Sequence, residues 1–216
     1  ASAVTVGLSL LPVFVIGLLE DLHIPMSPRR RLLAVFVSCL IEIMLRGAWM
    51  PRFDIPVLDG LMVFAIVGVP FTLLLVGGIS HAFNLIDGLH GFSSGVAIMA
   101  STALGAMALQ VGDGELARVC FLFAVVIAGF WVVNFPFGKL FLGDAGAYTV
   151  GYILAWLGIS LLARHPDVSA WAVFLVFSWP ISETLWAILR RKLSGRDATA
   201  PDRMHSTESY TPCPRC

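Results

Sequence analysis

The chain has 216 residues, 58% of them hydrophobic and only 13% charged, with a mean hydropathy of +0.87. A soluble domain of this size carries about 25% charged residues, so the composition excludes an ordinary water-soluble domain and points to an all-α, polytopic helical membrane protein. The formal net charge is zero, which offers no long-range attraction to nucleic acid and argues against such a partner.

The first predicted span covers 2–19 and stops at Glu20 and Asp21, in LLEDL. No basic stretch precedes Ala1, so the run does not read as a signal peptide. After HIPMSPRRR comes a short second span over 32–47, interrupted by Glu42, and then a third over 60–79. The third leads into HAFNLIDGLHGFSSG, His81–Gly95, where two histidines, an asparagine, an aspartate and three glycines break the apolar sequence. Spans over 92–110 and 117–134 follow, then NFPFGKLFLGDAG, then spans over 146–163 and 169–189, the last containing Glu183. That makes seven spans over residues 1–189, a membrane core, with 190–216 as a polar tail. Cys39 and Cys120 lie in apolar runs and read as small buried hydrophobes. The closing C-x-x-C, Cys213 and Cys216, has no second pair or histidine spacing and carries little weight for a metal.

The connections alternate in charge. Those after spans one, three, five and seven hold Arg29, Arg30, Arg31, Lys139, Arg190, Arg191, Lys192, Arg196, Arg203 and Arg215, whereas the opposite set holds only Arg46, Arg52, Arg118 and Arg164. The positive-inside rule puts the first set in the cytoplasm, with Ala1 outside and Cys216 inside. The same set brings carboxylates to the ends of spans: Glu20 and Asp21, Asp87, and Asp144. They sit in glycine-rich, apolar sequence (LLEDL, NLIDGLHG, FLGDAG), which suits close approach of a backbone to a ligand. Converging carboxylates repel one another unless a cation lies between them, and Mg²⁺ takes carboxylates together with substrate phosphates. Topology alone accounts for Arg29 and Arg30; Arg31 and the tail arginines suit a phosphate partner.

LLEDLHIPMSPRRRLL, HAFNLIDGLHGF, NFPFGKLFLGDAGAYTVGY and GRDATAPDRMH together resemble the successive motifs of the polyprenyl-phosphate N-acetylhexosamine-1-phosphate transferases, glycosyltransferase family 4. The resemblance covers all seven spans, in family order. It implies transfer of a sugar 1-phosphate from a UDP-sugar to undecaprenyl phosphate with release of UMP, in bacterial cell-envelope glycan synthesis, by a Mg²⁺-dependent (or Mn²⁺-dependent) enzyme. It further implies a multi-pass protein of the bacterial inner membrane with its site on the cytoplasmic face. Carried over by motif, Asp87 and Asp144 are the expected metal ligands, and Asp21 is the group expected to orient or deprotonate the acceptor phosphate. Glu20, Arg31, Asn84, Asn134, Arg203 and His205 are the expected substrate-binding residues.

Several positions depart from the family pattern. Glu20 stands where the family has an aspartate, and His90 where it often has a further acid. PDRMH lacks the histidines that follow in the family, and about three spans that precede this region in the family are missing. The resemblance therefore implies a fragment. Two rival readings stand beside the enzyme: an ion-coupled carrier using Glu42 and Glu183, and an inactive remnant of the transferase. Carrier sites lie near the midplane between broken helices, whereas most polar residues here gather at one face.

Overall fold

The computed structural model describes residues 3–136, 138 and 140–193, and every regular element among them is an α-helix. The helices are α1 (Ala3–Asp21), α2 (Pro28–Arg46), α3 (Pro56–Met62), α4 (Ala65–Ile86), α5 (Phe92–Gln110), α6 (Gly114–Asn134), α7 (Gly143–Arg164), α8 (Ala170–Val176) and α9 (Ser178–Leu193). Helical class and polytopic character are as expected, but the span count is lower. Among the described residues, α4, α5, α6 and α7 are long and apolar enough to cross a membrane, and α8 with α9, bent by 64°, would make a fifth.

The first and second expected spans, α1 and α2, are not among these helices, and two others differ in their bounds. The second expected span lies in α2, which opens on Arg29, Arg30 and Arg31 and carries Glu42 and Arg46. The third is divided: α3 ends at Met62, and a separate helix begins at Ala65, moving the membrane segment several residues toward the carboxylates. The seventh breaks at Phe177 into a short helix and a longer one. α1, in place of the first expected span, runs to Asp21 and is 19 residues long.

α7 is the axis of the bundle. It packs against α1, α4 and α5, and most of its side chains from Ala145 to Leu162 are buried. Its neighbours turn outward a belt of large apolar side chains, including Leu11, Met44, Ile66, Leu74, Met99, Val125 and Val126. Water would not tolerate so continuous an apolar surface, and lipid does. Where water drives no burial, helices associate through small residues and interhelical hydrogen bonds. Gly17 does the first: a Cβ there would lie 2.4 Å from the Ala145 Cα, so only glycine lets α1 lie directly on α7. Ser38 does the second, accepting from the Val13 amide at 3.0 Å while its carbonyl accepts the Tyr152 hydroxyl at 2.9 Å. α1, α2 and α7 are thereby locked at mid-depth.

The helices alternate in direction, so the connections gather at two ends. One end collects the α1–α2, α4–α5 and α6–α7 connections and holds Asp21, Asp87 and Asp144. The other is closed by polar side chains on backbone. Arg52 donates to the carbonyls of Leu162 at 3.0 Å and Pro166 at 2.9 Å, and Asp54 accepts from the Ala170 amide at 2.6 Å. That amide bond holds the Asp54 carboxyl below its usual range, with Arg52 and Ser169 adding to the effect. A cavity of about 350 Å³ opens at this same end, lined by Leu10, Arg46, Glu115, Trp156 and Arg164 among others, away from the carboxylates.

Asp113 caps α6 here, accepting from the Leu116 amide at 2.9 Å, with Arg164 at 3.1 Å and His165 Nε2 at 3.0 Å. The amide bond first, then His165 and Arg164, pull its carboxyl down to about 2, below an ordinary aspartate. A carboxyl lowered on folding stabilises fully above its unfolded value, about 3.9, and that stability drains as pH falls toward the folded value. Asp113→Asn is therefore expected to lower the thermal midpoint in detergent at pH 6. The gap from wild type should narrow as pH drops from about 4 toward 2. A gap that stays constant over that range would mean the charge is not what matters.

Candidate active site

Four chain segments meet at the carboxylate end. α1 ends on Glu20 and Asp21, and the chain turns within six residues into α2. Ser27 caps α2 by accepting from the Arg30 amide, with Pro28 in the first turn, a proline position suited to its fixed φ and missing N–H. This start points Arg31 back at α1: its Nη1 lies 3.0 Å from Glu20 Oε1 and 3.9 Å from Asp144 Oδ2. Asn84, in the last turn of α4, donates from Nδ2 to Asp144 Oδ1 at 2.6 Å. Asp144 is thus the hub, reached by side chains from α2 and α4 and electrostatically coupled to Asp87.

Asp87 ends α4, just beyond the membrane segment. Burial, and next the charge of Asp144, push its carboxyl up to about 7, opposed in part by the Ser93 hydroxyl. Asp21 is exposed at the end of α1. Its Oδ1 accepts the Asp144 amide at 2.8 Å and its Oδ2 the Ala145 amide at 3.1 Å, so each oxygen accepts one amide of the first turn of α7. Gly143 admits this contact. It has φ +69°, and a Cβ there would lie 2.7 Å from Asp21 Oδ2.

Asn134 is buried and has both ends of its amide engaged: Oδ1 accepts the Gly91 N–H and Nδ2 donates to the Leu140 carbonyl. Trp131 adds a bond from its indole N–H to the Gly91 carbonyl at 3.0 Å. Asn134 thus ties the α4–α5 connection to the α6–α7 connection. His90 is exposed, with its ring centroid 5.2 Å from that of Phe141. Glu183 is exposed on α9. Arg203, His205 and Lys139 lie outside the described residues.

His81 is not among the expected site residues, yet it lies one helical turn before Asn84, edge-on to Tyr148 at 5.0 Å between centroids. The periodicity of α4, with residues three apart on one face, is the signal that links it to Asn84. Its Nε2 is buried without a hydrogen-bond partner, as are Glu20 Oε2 and Arg31 Nε. Orphaned buried polar atoms are rare in a finished structure, and an ordered water, an ion or another molecule is what commonly completes their bonding.

Among the described residues, no three acidic, histidine or cysteine side chains converge closely enough to hold a metal ion unaided. Mg²⁺ does not require three; it is commonly bound by one or two carboxylates with substrate phosphates and water filling the octahedron. Asp87 and Asp144, oxygen donors close enough for the charge of Asp144 to raise the proton affinity of Asp87, fit that pattern, and the orphaned Glu20 oxygen beside them has the right chemistry for a bound water.

Known proteins share this chain's sequence to a useful extent. The model of a family described as "Glycosyl transferase family 4" matches residues 3–162. A probable undecaprenyl-phosphate N-acetylglucosaminyl 1-phosphate transferase of Bacillus subtilis is 30% identical over 207 residues, covering 94% of this chain and 56% of its own length. A phospho-N-acetylmuramoyl-pentapeptide-transferase of Levilactobacillus brevis is 33% identical over 126 residues, 58% of this chain and 38% of its own. An undecaprenyl-phosphate alpha-N-acetylglucosaminyl 1-phosphate transferase of Yersinia pestis is 28% identical over 150 residues, 67% of this chain and 41% of its own. The chain therefore spans about half, or less, of the length of the curated relatives it matches.

Proposed function

The chain belongs to glycosyl transferase family 4, and from that premise we propose that it transfers an N-acetylhexosamine 1-phosphate from a UDP-sugar to undecaprenyl phosphate. An oxygen of the acceptor phosphate forms a bond to the sugar-bearing phosphorus of the donor, the bond from that phosphorus to the bridging oxygen breaks, and UMP leaves with the electron pair. The relatives' names supply the reaction class. The observation that carries the reading to this chain is the convergence on Asp144 of Arg31 from α2 and Asn84 from α4.

Such a transfer spreads negative charge over phosphoryl oxygens, so its catalysis is positioning and neutralisation rather than covalent chemistry. Asp87 and Asp144 are the residues that would hold Mg²⁺, or Mn²⁺ in its place, and the ion when bound supplies charge neutralisation at the donor pyrophosphate. Asn84 fixes the rotamer of Asp144 by its bond to Oδ1. Arg31, with an unpartnered Nε between Glu20 and Asp144, binds phosphate oxygen. Glu20 holds the guanidinium in place. Asn134 keeps the two glycine-rich connections at one spacing, and Arg203 and His205 of the tail grip the donor. The apolar belt supports a lipid acceptor approaching from the membrane. The basic character of these connections supports a cytoplasmic site in the bacterial inner membrane, serving cell-envelope glycan synthesis.

Membranes carrying the intact protein are expected to release UMP from UDP-N-acetylglucosamine only when undecaprenyl phosphate and Mg²⁺ are both supplied. No release above control membranes across a panel of UDP-N-acetylhexosamines would overturn the reading and leave the inactive-remnant alternative standing.

A further inference from the structure

We infer that Asp21 is a positioning residue which sets the place of Asp144 by capping the N-terminus of α7, and not the group that takes a proton from the acceptor phosphate. This rests on the transferase reading for its activity readout, and on geometry alone for its structural one. The first turn of an α-helix leaves amide N–H groups without partners, normally satisfied by the side chain of the residue just before the helix. α7 lacks that cap: its N-cap residue is Leu142, which has an apolar side chain. Asp21, over a hundred residues away in sequence, supplies the missing acceptors, one carboxylate oxygen to the Asp144 amide at 2.8 Å and the other to Ala145 at 3.1 Å. A carboxylate at this position also meets the positive end of the helix dipole, so its charge is favoured there.

Two glycines make the contact possible, and neither is explained by a proton-transfer role. Gly17 brings α1 onto α7 at Ala145, and Gly143 leaves the space its absent Cβ would take from Asp21 Oδ2. One capping bond ends on the amide of Asp144 itself. The carboxylate of Asp21 therefore fixes the backbone from which the hub side chain projects toward Asn84 and Arg31. Removal frees the first turn of α7 to fray, and Asp144 moves relative to both partners.

Asp21→Asn keeps a side-chain oxygen able to accept one of the two amides, whereas Asp21→Ala keeps none. In the intact protein, hydrogen exchange of the peptide containing Asp144 and Ala145 is expected to be much faster than wild type for Asp21→Ala and only modestly faster for Asp21→Asn. UMP release should fall about a hundredfold for the alanine variant, the cost of a misplaced catalytic group, and by less than about tenfold for the asparagine variant. The asparagine variant's pH–rate profile should keep the wild-type shape. Gly143→Ala, which keeps Asp21 but presses a methyl group on its carboxylate, should reproduce the alanine variant in both readouts; it serves if Asp21→Ala fails to fold. The inference is overturned if Asp21→Asn loses as much activity as Asp21→Ala while the first turn of α7 stays protected, or if its pH profile loses a limb. Absence of UMP release from the wild type would instead sink the transferase reading, and the exchange measurement would still decide whether Asp21 caps α7.

Discussion

Asp144→Asn and Asp87→Asn are each expected to slow UMP release by about a thousandfold, a loss typical of removing one fixed charge stabiliser from a reacting centre. The protein should nonetheless stay folded. Among the described residues, Asp144 has carboxylate neighbours in Asp87, Asp21 and Glu20 against one nearby guanidinium, Arg31. Neutralising the hub therefore relieves repulsion, and an asparagine there keeps an oxygen for the Asn84 amide. The thermal midpoint of either variant in detergent should equal or exceed that of the wild type. The Asp87 carboxyl is pushed up by burial first and by Asp144 second, so in Asp144→Asn it should titrate closer to the ordinary aspartate range, at a pH lower than in the wild type. Activity lost with stability kept separates a chemical role from a folding one. Retention of activity within about tenfold in Asp144→Asn would remove Asp144 from the site, because electrostatic stabilisation does more than any other effect to speed such a transfer.

Much of this arrangement is legible from residues, and the exceptions share a cause. Apolar run length identifies a polytopic helical bundle because lipid leaves the backbone no other way to satisfy itself across the membrane. Run length misplaces the third span because hydropathy is continuous across residues 60–79, while the chain bends between Met62 and Ala65. The carboxylates stand out because charge is scarce in the sequence, and the structure does bring Asp144 together with Asn84 and Arg31. What charge and motif do not reveal is how each polar group is used once packed. Asn134 looks like a ligand in sequence but has both amide ends on backbone. Asp21 looks equivalent to Asp87, and only the approach of α1 to α7 shows that its oxygens meet amides. His81 escapes notice because histidine in an apolar helix has no pattern of its own; its unpartnered Nε2 is visible only in three dimensions.

Arg46→Ala should be the most destabilising single change away from the carboxylates, lowering the thermal midpoint in detergent by roughly 10 °C. Glu42 is fully buried on α2, and Arg46, one turn on, pairs with it. The guanidinium also donates to the Ser160 hydroxyl at 2.7 Å and lies 5.3 Å from the centroid of the Trp156 ring, tying α2 to the central helix. Deleting one partner of a buried pair leaves the other charge without compensation and costs about 3–5 kcal/mol, whereas replacing both with apolar groups is often neutral. Glu42→Leu combined with Arg46→Leu should accordingly recover most of the midpoint lost in Arg46→Ala. UMP release per folded molecule should hold in both, since the pair lies at the far end of α2 from Arg31. The carrier reading makes the opposite demand of the same residues. A coupling carboxylate must exchange its ion during transport, so Glu42→Gln would abolish coupled uptake without affecting stability. A carboxylate held against an arginine that also braces two helices is better suited to joining them than to releasing a cation, and recovery in the double leucine variant would show that joining is its work.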